Sequence, residues 1–364
     1  MKVPLLDLKA QYATIRDKVR PAVDAVMDSQ YFILGPEVEA FEKEVAAYVG
    51  AKHAIACASG TDAILLALMA LGVGPGDEVV TTPFTFFATG GCVSRVGAKP
   101  VFVDIEEDTF NIDPAAIAQA ITPRTKAILP VHLFGQCADM DPILEAAGSI
   151  PVIEDAAQAL SSAYKGKKAG TLATVACFSF FPSKNLGGFG DGGLMTTNDD
   201  ALAEKLRILR VHGASKKYFH KVIGVNSRLD ALQATVLRVK LPCLEAWSDA
   251  RAAHARCYAE LFAGSKVVTP VAKPYGRHVY NQYTLRAANR DGLEAHLKSR
   301  DVGCAIYYPV PLHRQDCYAD LGYREGSLPR AERAAREVLS IPVYPEMTDD
   351  MVRYVAASVR EFTG

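Results

Sequence analysis

The chain has 364 residues, enough for two domains and a sizeable core, with 49% hydrophobic and 22% charged residues. A formal net charge of −1 leaves no global field that would draw it to nucleic acid or to an anionic membrane. Eight cysteines and eight histidines are scattered without a C-x-x-C pair or an H-E-x-x-H cluster, so reduced thiols, a cytoplasmic location and no bound metal are expected.

Met1–Leu8 lacks the apolar core and cleavage site of a signal peptide, and no apolar stretch is long enough to span a bilayer. Asp7 to Gln30 reads as a lead-in and an amphipathic helix, with Val19, Val23 and Val26 among its apolar positions. The aromatic run Gln30–Leu34 stops at Gly35-Pro36, and a helix follows from about Glu37 to Tyr48. Phe32 in that run is read either as local packing or as a pocket wall or dimer contact, and the sequence alone leaves the two even. His53–Ala58 is a short strand that runs into Ser59-Gly60-Thr61-Asp62 and a helix over Ala63–Leu71. Backbone N–H groups at such a helix start can hold a phosphate, although alone these four residues make a good N-cap and little more.

Asp77–Thr82 is the next strand, leading to Phe84-Thr85-Phe86-Phe87-Ala88-Thr89. Phe86 is the choice to stack on a flat ring, with Phe84 and Phe87 open to a core reading. Strands at Lys99–Val103 and Lys126–His132 flank a helix near Pro114–Ile121, and another helix begins at Ala138–Asp141. Val152-Ile153-Glu154-Asp155 is an apolar run ending in carboxylates, as in a buried parallel strand whose C-terminal end faces a crevice. About twenty residues on, Val175–Phe180 is a second buried strand that delivers Ser179 and then Lys184 into a glycine-rich stretch, Gly187–Gly193. This alternation predicts an α/β protein with a mostly parallel sheet covered by helices.

A carboxylate, a hydroxyl and a lysine in this order suit pyridoxal phosphate. Lys184 would form the Schiff base, Asp155 would keep the ring nitrogen protonated, and Ser179 would bind the phosphate. The run Gly188–Gly193 superficially suggests a dinucleotide fingerprint and hence an NAD-linked oxidoreductase. It leads into a strand at Leu194–Thr197 rather than a helix, so the match is read as false.

Asp199–Val211 reads as a helix, His212–Val225 as a polar, basic, mobile loop, and Gly224–Asp230 as the cap of a helix through about Val239. A break at Pro242 precedes a helical run over Leu244–Phe262. The remaining chain is read as a strand at His278–Arg286, a helix at Gly292–Ser299, a strand at Gly303–Tyr308, a helix near Arg330–Leu339 and a terminal helix from Asp349. The domain division expected is 1–241, a large cofactor-binding domain, and 242–364, a smaller α+β domain.

Over essentially its whole length the chain resembles the DegT/DnrJ/EryC1/StrS nucleotide-sugar aminotransferases, pyridoxal-phosphate enzymes of the aspartate aminotransferase-like fold type I. The likeness runs through Gln30–Val38, Ser59–Ala63, Glu154–Gln158, Ser179–Lys184, Gly190–Gly193, Asn226–Gln233 and Tyr308–Leu312. It implies Lys184 as the covalent lysine, Asp155 at the ring nitrogen, Gln158 near the 3-hydroxyl and Phe86 on the ring. It further implies Ser179 and Gly60, Thr61 and Asp62 on the phosphate, with Asn226 reaching it from a neighbouring subunit of a homodimer. Relatives that dehydrate sugars resemble this group but carry His at the lysine position, so Lys184 implies transamination, with pyridoxamine phosphate formed on the way and L-glutamate/2-oxoglutarate as donor pair.

Within the family the chain is most similar to aminotransferases acting on UDP-2-acetamido-2-deoxy-3-oxo-glucuronate, which serve surface-polysaccharide (O-antigen) synthesis. That likeness implies a UDP-linked keto-sugar as substrate. Arg228 would then pair with the uronate carboxylate or serve the dimer interface; Tyr307 is a pocket candidate, and Tyr308 and His313 are weaker ones, either of which could simply pack. Tyr307 stands where His is expected in that subgroup, and Asp191 where the family usually has Glu. A dTDP-linked 3-keto or 4-keto deoxysugar is the alternative substrate, and a non-catalytic sensory role is the alternative outside catalysis.

Overall fold

Residues 1–363 are described in a computed structural model of the chain. Alternate residues of its central strands feed two different cores. Ala54 and Ala56 of β1 (His53–Cys57) join one cluster, while Ile55 and Cys57 join the other. The same alternation separates Ala176 and Phe178 of β6 (Val175–Ser179) from Val175 and Cys177. A strand buried on both faces must lie in a sheet covered on both sides, because side chains leave a strand with period two.

The remaining strands of this sheet are β2 (Glu78–Thr81), β3 (Lys99–Phe102), β4 (Thr125–Leu129), β5 (Ile153–Asp155) and β7 (Gly193–Thr197). Hydrogen-bonded neighbours run β1-β7-β6-β5 in one group and β3-β2-β4 in the other. Parallel bridges Ile128–Val152 and Val131–Asp155 join the two groups. Strand β7 alone runs against both of its neighbours.

Helices α1 (Leu8–Ser29), α2 (Pro36–Val49), α3 (Gly60–Ala70), α4 (Ala88–Arg95), α5 (Pro114–Ala120), α6 (Met140–Ala147) and α7 (Asp200–Leu209) surround the sheet. Asp7 caps α1 by accepting from Lys9 N and Ala10 N, as the lead-in reading requires. Helix α4 is absent from the sequence reading. Gly90 and Gly91 lower its propensity, and burial of Cys92 and Val93 supplies what propensity does not. Helix α8 (Ala231–Lys240) packs on α1 and α2, and a 3₁₀ turn at Leu241–Cys243 leads to α9 (Leu244–Leu261).

Four sequence expectations change here. The segment 212–225 holds a hairpin, β8 (Ala214–Lys216) with β9 (Phe219–His220), where a loop was expected. The strand expected over His278–Arg286 is broken: Gly276–Arg277 pairs with Ala163–Tyr164, and β10 is Tyr283–Arg286. Tyr280 at φ 45° interrupts the extended backbone between them. After α10 (Arg290–Ser299), Gly303–Tyr308 forms no strand. Gly303 N donates to Val3 O, and Ala305 makes a single bridge to Ser340, so no continuous partner is left. Helix α11 (Pro329–Glu337) ends before Val338, which turns extended to start β11 (Val338–Ile341), the antiparallel partner of β10.

The terminal helix is α12 (Asp349–Thr363). A third core gathers Tyr258, Tyr283, Leu293, Leu339 and Val355, and Val3 from the N-terminus packs into it beside Val302. A fourth joins Phe84, Phe102 and Phe134 to Leu312, Tyr318 and Ala334. Among the described residues no helix is long and apolar enough to cross a membrane.

Candidate active site

At the C-terminal end of β5 the chain carries two adjacent carboxylates, and strand geometry sends them to opposite faces. Glu154 is fully buried and accepts from the N–H groups of Gly170, Leu172 and Ala173 and from His132 Nε2 at 3.1 Å. Ala138 N donates to His132 Nδ1, so the ring proton lies on the nitrogen facing Glu154. Asp155 faces the other way, into a cavity of about 440 Å³ that it lines together with Lys184, Ser179, Gln158 and Phe86.

The Asp155 carboxylate is nearly inaccessible. Oδ2 accepts from Thr89 Oγ1 at 2.7 Å and Oδ1 from Ala157 N at 3.2 Å. Burial raises its pKa, the Thr89 and Ala157 hydrogen bonds oppose the rise, and Lys184 opposes it further. A carboxylate so placed gains most from a neighbour that brings a proton and positive charge. Thr89 was not picked out from the sequence as a site residue. The available signal was a pair of threonines four apart, Thr85 and Thr89, in an otherwise aromatic run; their hydroxyls lie 3.0 Å apart, both buried.

Lys184 is partly exposed into the cavity, yet its amine is desolvated. Burial lowers its pKa to about 8, against the pull of Asp155. At neutral pH this leaves roughly 300-fold more free amine than a lysine at 10.5 would carry. Acylation of Lys184 in the cofactor-free chain, followed by peptide mass mapping across pH, is therefore expected to show a midpoint near 8, well below that of the surface lysines. A midpoint near 10.5 would mean the amine is solvated.

The opposite wall is the start of α3. Ser59 is its N-cap: the hydroxyl accepts from Asp62 N at 3.1 Å and the carbonyl from Ala63 N at 3.0 Å. An anion would therefore engage the N–H groups of Gly60 and Thr61, both on the cavity wall. A Cβ on Gly60 would stand 2.6 Å from the Ser179 Cβ, so only glycine lets helix start and serine approach this closely. Asp62 turns away, its carboxylate accepting from Ser227 Oγ at 2.7 Å; its place is in tying the 227 loop to α3.

Gln158 Oε1 accepts from Phe134 N at 2.6 Å, which fixes its amide, and Nε2 donates to Tyr308 Oη at 3.2 Å. Phe86 is exposed at the cavity mouth, 6.5 Å between centroids from Tyr308, while Phe84 is in the core. Tyr307 and Tyr308 both line the cavity, along with Gln282, Ser183 and Asp191, which sequence reasoning did not assign to the site.

Asn226 and Arg228 do not reach that cavity. They line a second one of about 600 Å³ with Ile33, and Ser59 and Asp191 form a wall common to both. Phe32 lies outside both cavities; its carbonyl accepts from Ala231 N and its ring is partly exposed. His313 is a correction. It is buried, with Nε2 3.1 Å from Glu332 Oε1 at the start of α11, so its ring is committed to packing and pairing rather than to a pocket.

A mostly parallel sheet that sets a desolvated lysine beside a buried carboxylate, facing a helix N-terminus, defines a fold type I pyridoxal-phosphate enzyme. The chain belongs to the DegT/DnrJ/EryC1/StrS aminotransferase family, whose model matches residues 13–360. It is 53% identical over its full length to a "pleiotropic regulatory protein" of Geobacillus stearothermophilus, covering 99% of that protein. It is 47% identical, over 98% of this chain and 99% of the relative, to the UDP-2-acetamido-2-deoxy-3-oxo-D-glucuronate aminotransferase of Pseudomonas aeruginosa. To the dTDP-3-amino-3,4,6-trideoxy-alpha-D-glucose transaminase of Streptomyces venezuelae it is 46% identical, over 99% of this chain and 96% of the relative. The solved structure of S. venezuelae DesV in complex with a ketimine intermediate superposes with a TM-score of 0.97 at 46% identity, covering 99% of this chain and 98% of that one.

Proposed function

We propose that this chain is a pyridoxal-phosphate-dependent aminotransferase that moves the amino group of L-glutamate to the 3-keto carbon of a nucleotide-linked sugar. The products are 2-oxoglutarate and the 3-amino sugar, and the preferred substrate is UDP-2-acetamido-2-deoxy-3-oxo-D-glucuronate, in surface-polysaccharide synthesis. One observation carries the reading: a desolvated Lys184 amine and a buried Asp155 carboxylate share one cavity with the helix start at Gly60 and Thr61.

Pyridoxal 5′-phosphate, when bound, supplies a reactive aldehyde and a ring that stabilises negative charge on the substrate carbon. The donor set fits it. Gly60 N, Thr61 N and the Ser179 hydroxyl would hold the phosphate, Phe86 would lie against the ring, and the Gln158 amide would serve the ring hydroxyl. Asp155 would hold the proton at the ring nitrogen; Thr89 and Ala157 keep its carboxylate in place. Lys184 would hold the cofactor between turnovers, and its free Nζ would take the proton from the donor's Cα. In the second half it would deliver a proton to the sugar carbon that receives nitrogen.

The functional unit is a homodimer with shared sites. In support, Asn226 and Arg228 lie away from Lys184 within one chain but beside the wall at Ser59 and Asp191. Exposed Tyr31, Phe32, Ile33, Phe86, Phe181 and Phe189 supply apolar surface for association. Arg228 then offers a bidentate donor to the uronate carboxylate. A dTDP-linked keto-deoxysugar is the second reading, favoured by nearly equal likeness to relatives of both kinds.

Absorbance spectroscopy separates them. The visible band of the holoenzyme is expected to fall with L-glutamate and to return with the acidic UDP-3-keto sugar. Return only with a dTDP-keto-deoxysugar would establish the second reading, and no response to glutamate would overturn the donor assignment.

A further inference from the structure

We propose that Lys240 is a positioning residue for this reaction, pinning the turn that carries Lys184 through the carbonyl of Gly187; the inference rests on the catalytic reading of Lys184. Lys240 is the last residue of α8 and is 2% exposed. Its Nζ donates to Gly187 O at 2.6 Å and lies 5.0 Å from the centroid of the Phe189 ring. Among the described residues no carboxylate lies within ion-pair distance of it, although buried lysines are rarely left without a partner. Burial lowers its pKa to about 8 against the pull of the Glu346 carboxylate, and an amine buried at that cost to hold one carbonyl calls for an account of what that carbonyl does.

Gly187 closes the turn. Lys184 N donates to Phe181 O at 2.8 Å and Gly188 N to Phe180 O at 2.7 Å, so the chain from Phe180 to Gly188 folds back on itself. A Cβ on Gly187 would stand 2.2 Å from Pro182 O, which shows how closely the two arms approach. Just beyond, Phe189 N donates to Gln233 Oε1 at 2.8 Å. Gln233 and Lys240 lie about two turns apart on α8, so one helix grips the run on both sides of Gly188. That helix is itself tied to α2, where Arg238 pairs with Glu37 and Glu44 and Thr235 donates to Glu37. The Lys184 backbone is thus indexed to the helical layer. Its side chain can then move between holding the cofactor and transferring protons without the turn drifting, and small misplacements of a reacting group are costly.

The rival is that Lys240 merely caps the C-terminus of α8. A cap affects stability and leaves Lys184 alone, so the test reads Lys184 directly. The full cofactor-free chain is acylated across pH with peptide mass mapping, as wild type, Lys240→Met and Lys240→Arg, and kcat and KM of the holoenzymes are measured alongside. In Lys240→Met the Lys184 midpoint is expected to rise from about 8 toward 10.5, because the loosened turn admits water to the amine. The holoenzyme kcat should fall by about 10²-fold with little change in KM, and Lys240→Arg should restore both. A folded Lys240→Met chain whose Lys184 midpoint stays near 8 overturns the proposal, whatever its melting temperature. Should that variant not fold, Gln233→Leu removes the other grip. The same rise is expected there, and an unchanged midpoint overturns the proposal equally. Labelling needs no keto-sugar, so an error in the aminotransferase reading would appear in the wild-type assay and not in this comparison.

Discussion

Replacing Lys184 by alanine is expected to reduce turnover by at least about 10³-fold, because in the proposed reaction one side chain serves as both nucleophile and proton carrier. The loss should not come from unfolding. A lysine whose folded pKa is lowered to about 8 from 10.5 penalises the folded state when charged. That penalty is complete below about pH 8 and vanishes above 10.5, as the amine becomes neutral in both states. At pH 7 the cofactor-free Lys184→Ala chain should therefore melt at or above the wild-type temperature. Turnover at saturating glutamate and keto-sugar, with a melting curve on the same preparation, checks both halves. Activity near wild type would end the assignment of Lys184, and a large drop in melting temperature would show that the residue stabilises the fold instead.

Asp155→Asn is expected to have the next largest effect, a fall in kcat of about 10²- to 10⁴-fold, since a neutral amide cannot hold a proton on the ring nitrogen. The amide keeps the shape, so Thr89 and Ala157 retain an acceptor. A second consequence has the opposite sense. Asp155 raises the Lys184 pKa against burial, so removing its charge should move the Lys184 labelling midpoint below about 8. Lower turnover together with a more reactive Lys184 at pH 7 is a pattern that general loosening of the site would not produce, since added water would raise the midpoint. Unchanged turnover would show that Asp155 does not bear on the ring.

The departures from the sequence reading share a cause. His313 sits in a polar, proline-flanked run that resembles a pocket loop, but the Glu332 side chain across the fold claims its ring. Gly303–Tyr308 has the composition of a strand, yet a strand needs a partner along its length, and Val3 and Ser340 each offer only a local one. Helix α4 is the converse: two glycines hide a helix that burial sustains. Thr89 became a site residue only when β5 brought Asp155 beside the first turn of α4, from 66 positions away along the chain.

The sequence by itself determined the alternation of strands and helices, the strand ends that carry Asp155 and Ser179, the glycine-rich turn after Lys184 and the capped helix start at Ser59. Each depends on residues close together in the chain: side-chain period, N-cap chemistry and the room that glycine leaves. Only the tertiary structure decided which of the adjacent carboxylates faces the cavity. It also decided that Asp62 and His313 are committed elsewhere, that Asn226 and Arg228 line a separate space, and that Lys240 reaches the Lys184 turn. These are matters of burial and of partners tens to hundreds of residues apart, and a hydrogen-bond donor has no preference among distant acceptors until packing has placed one within about 3 Å of it.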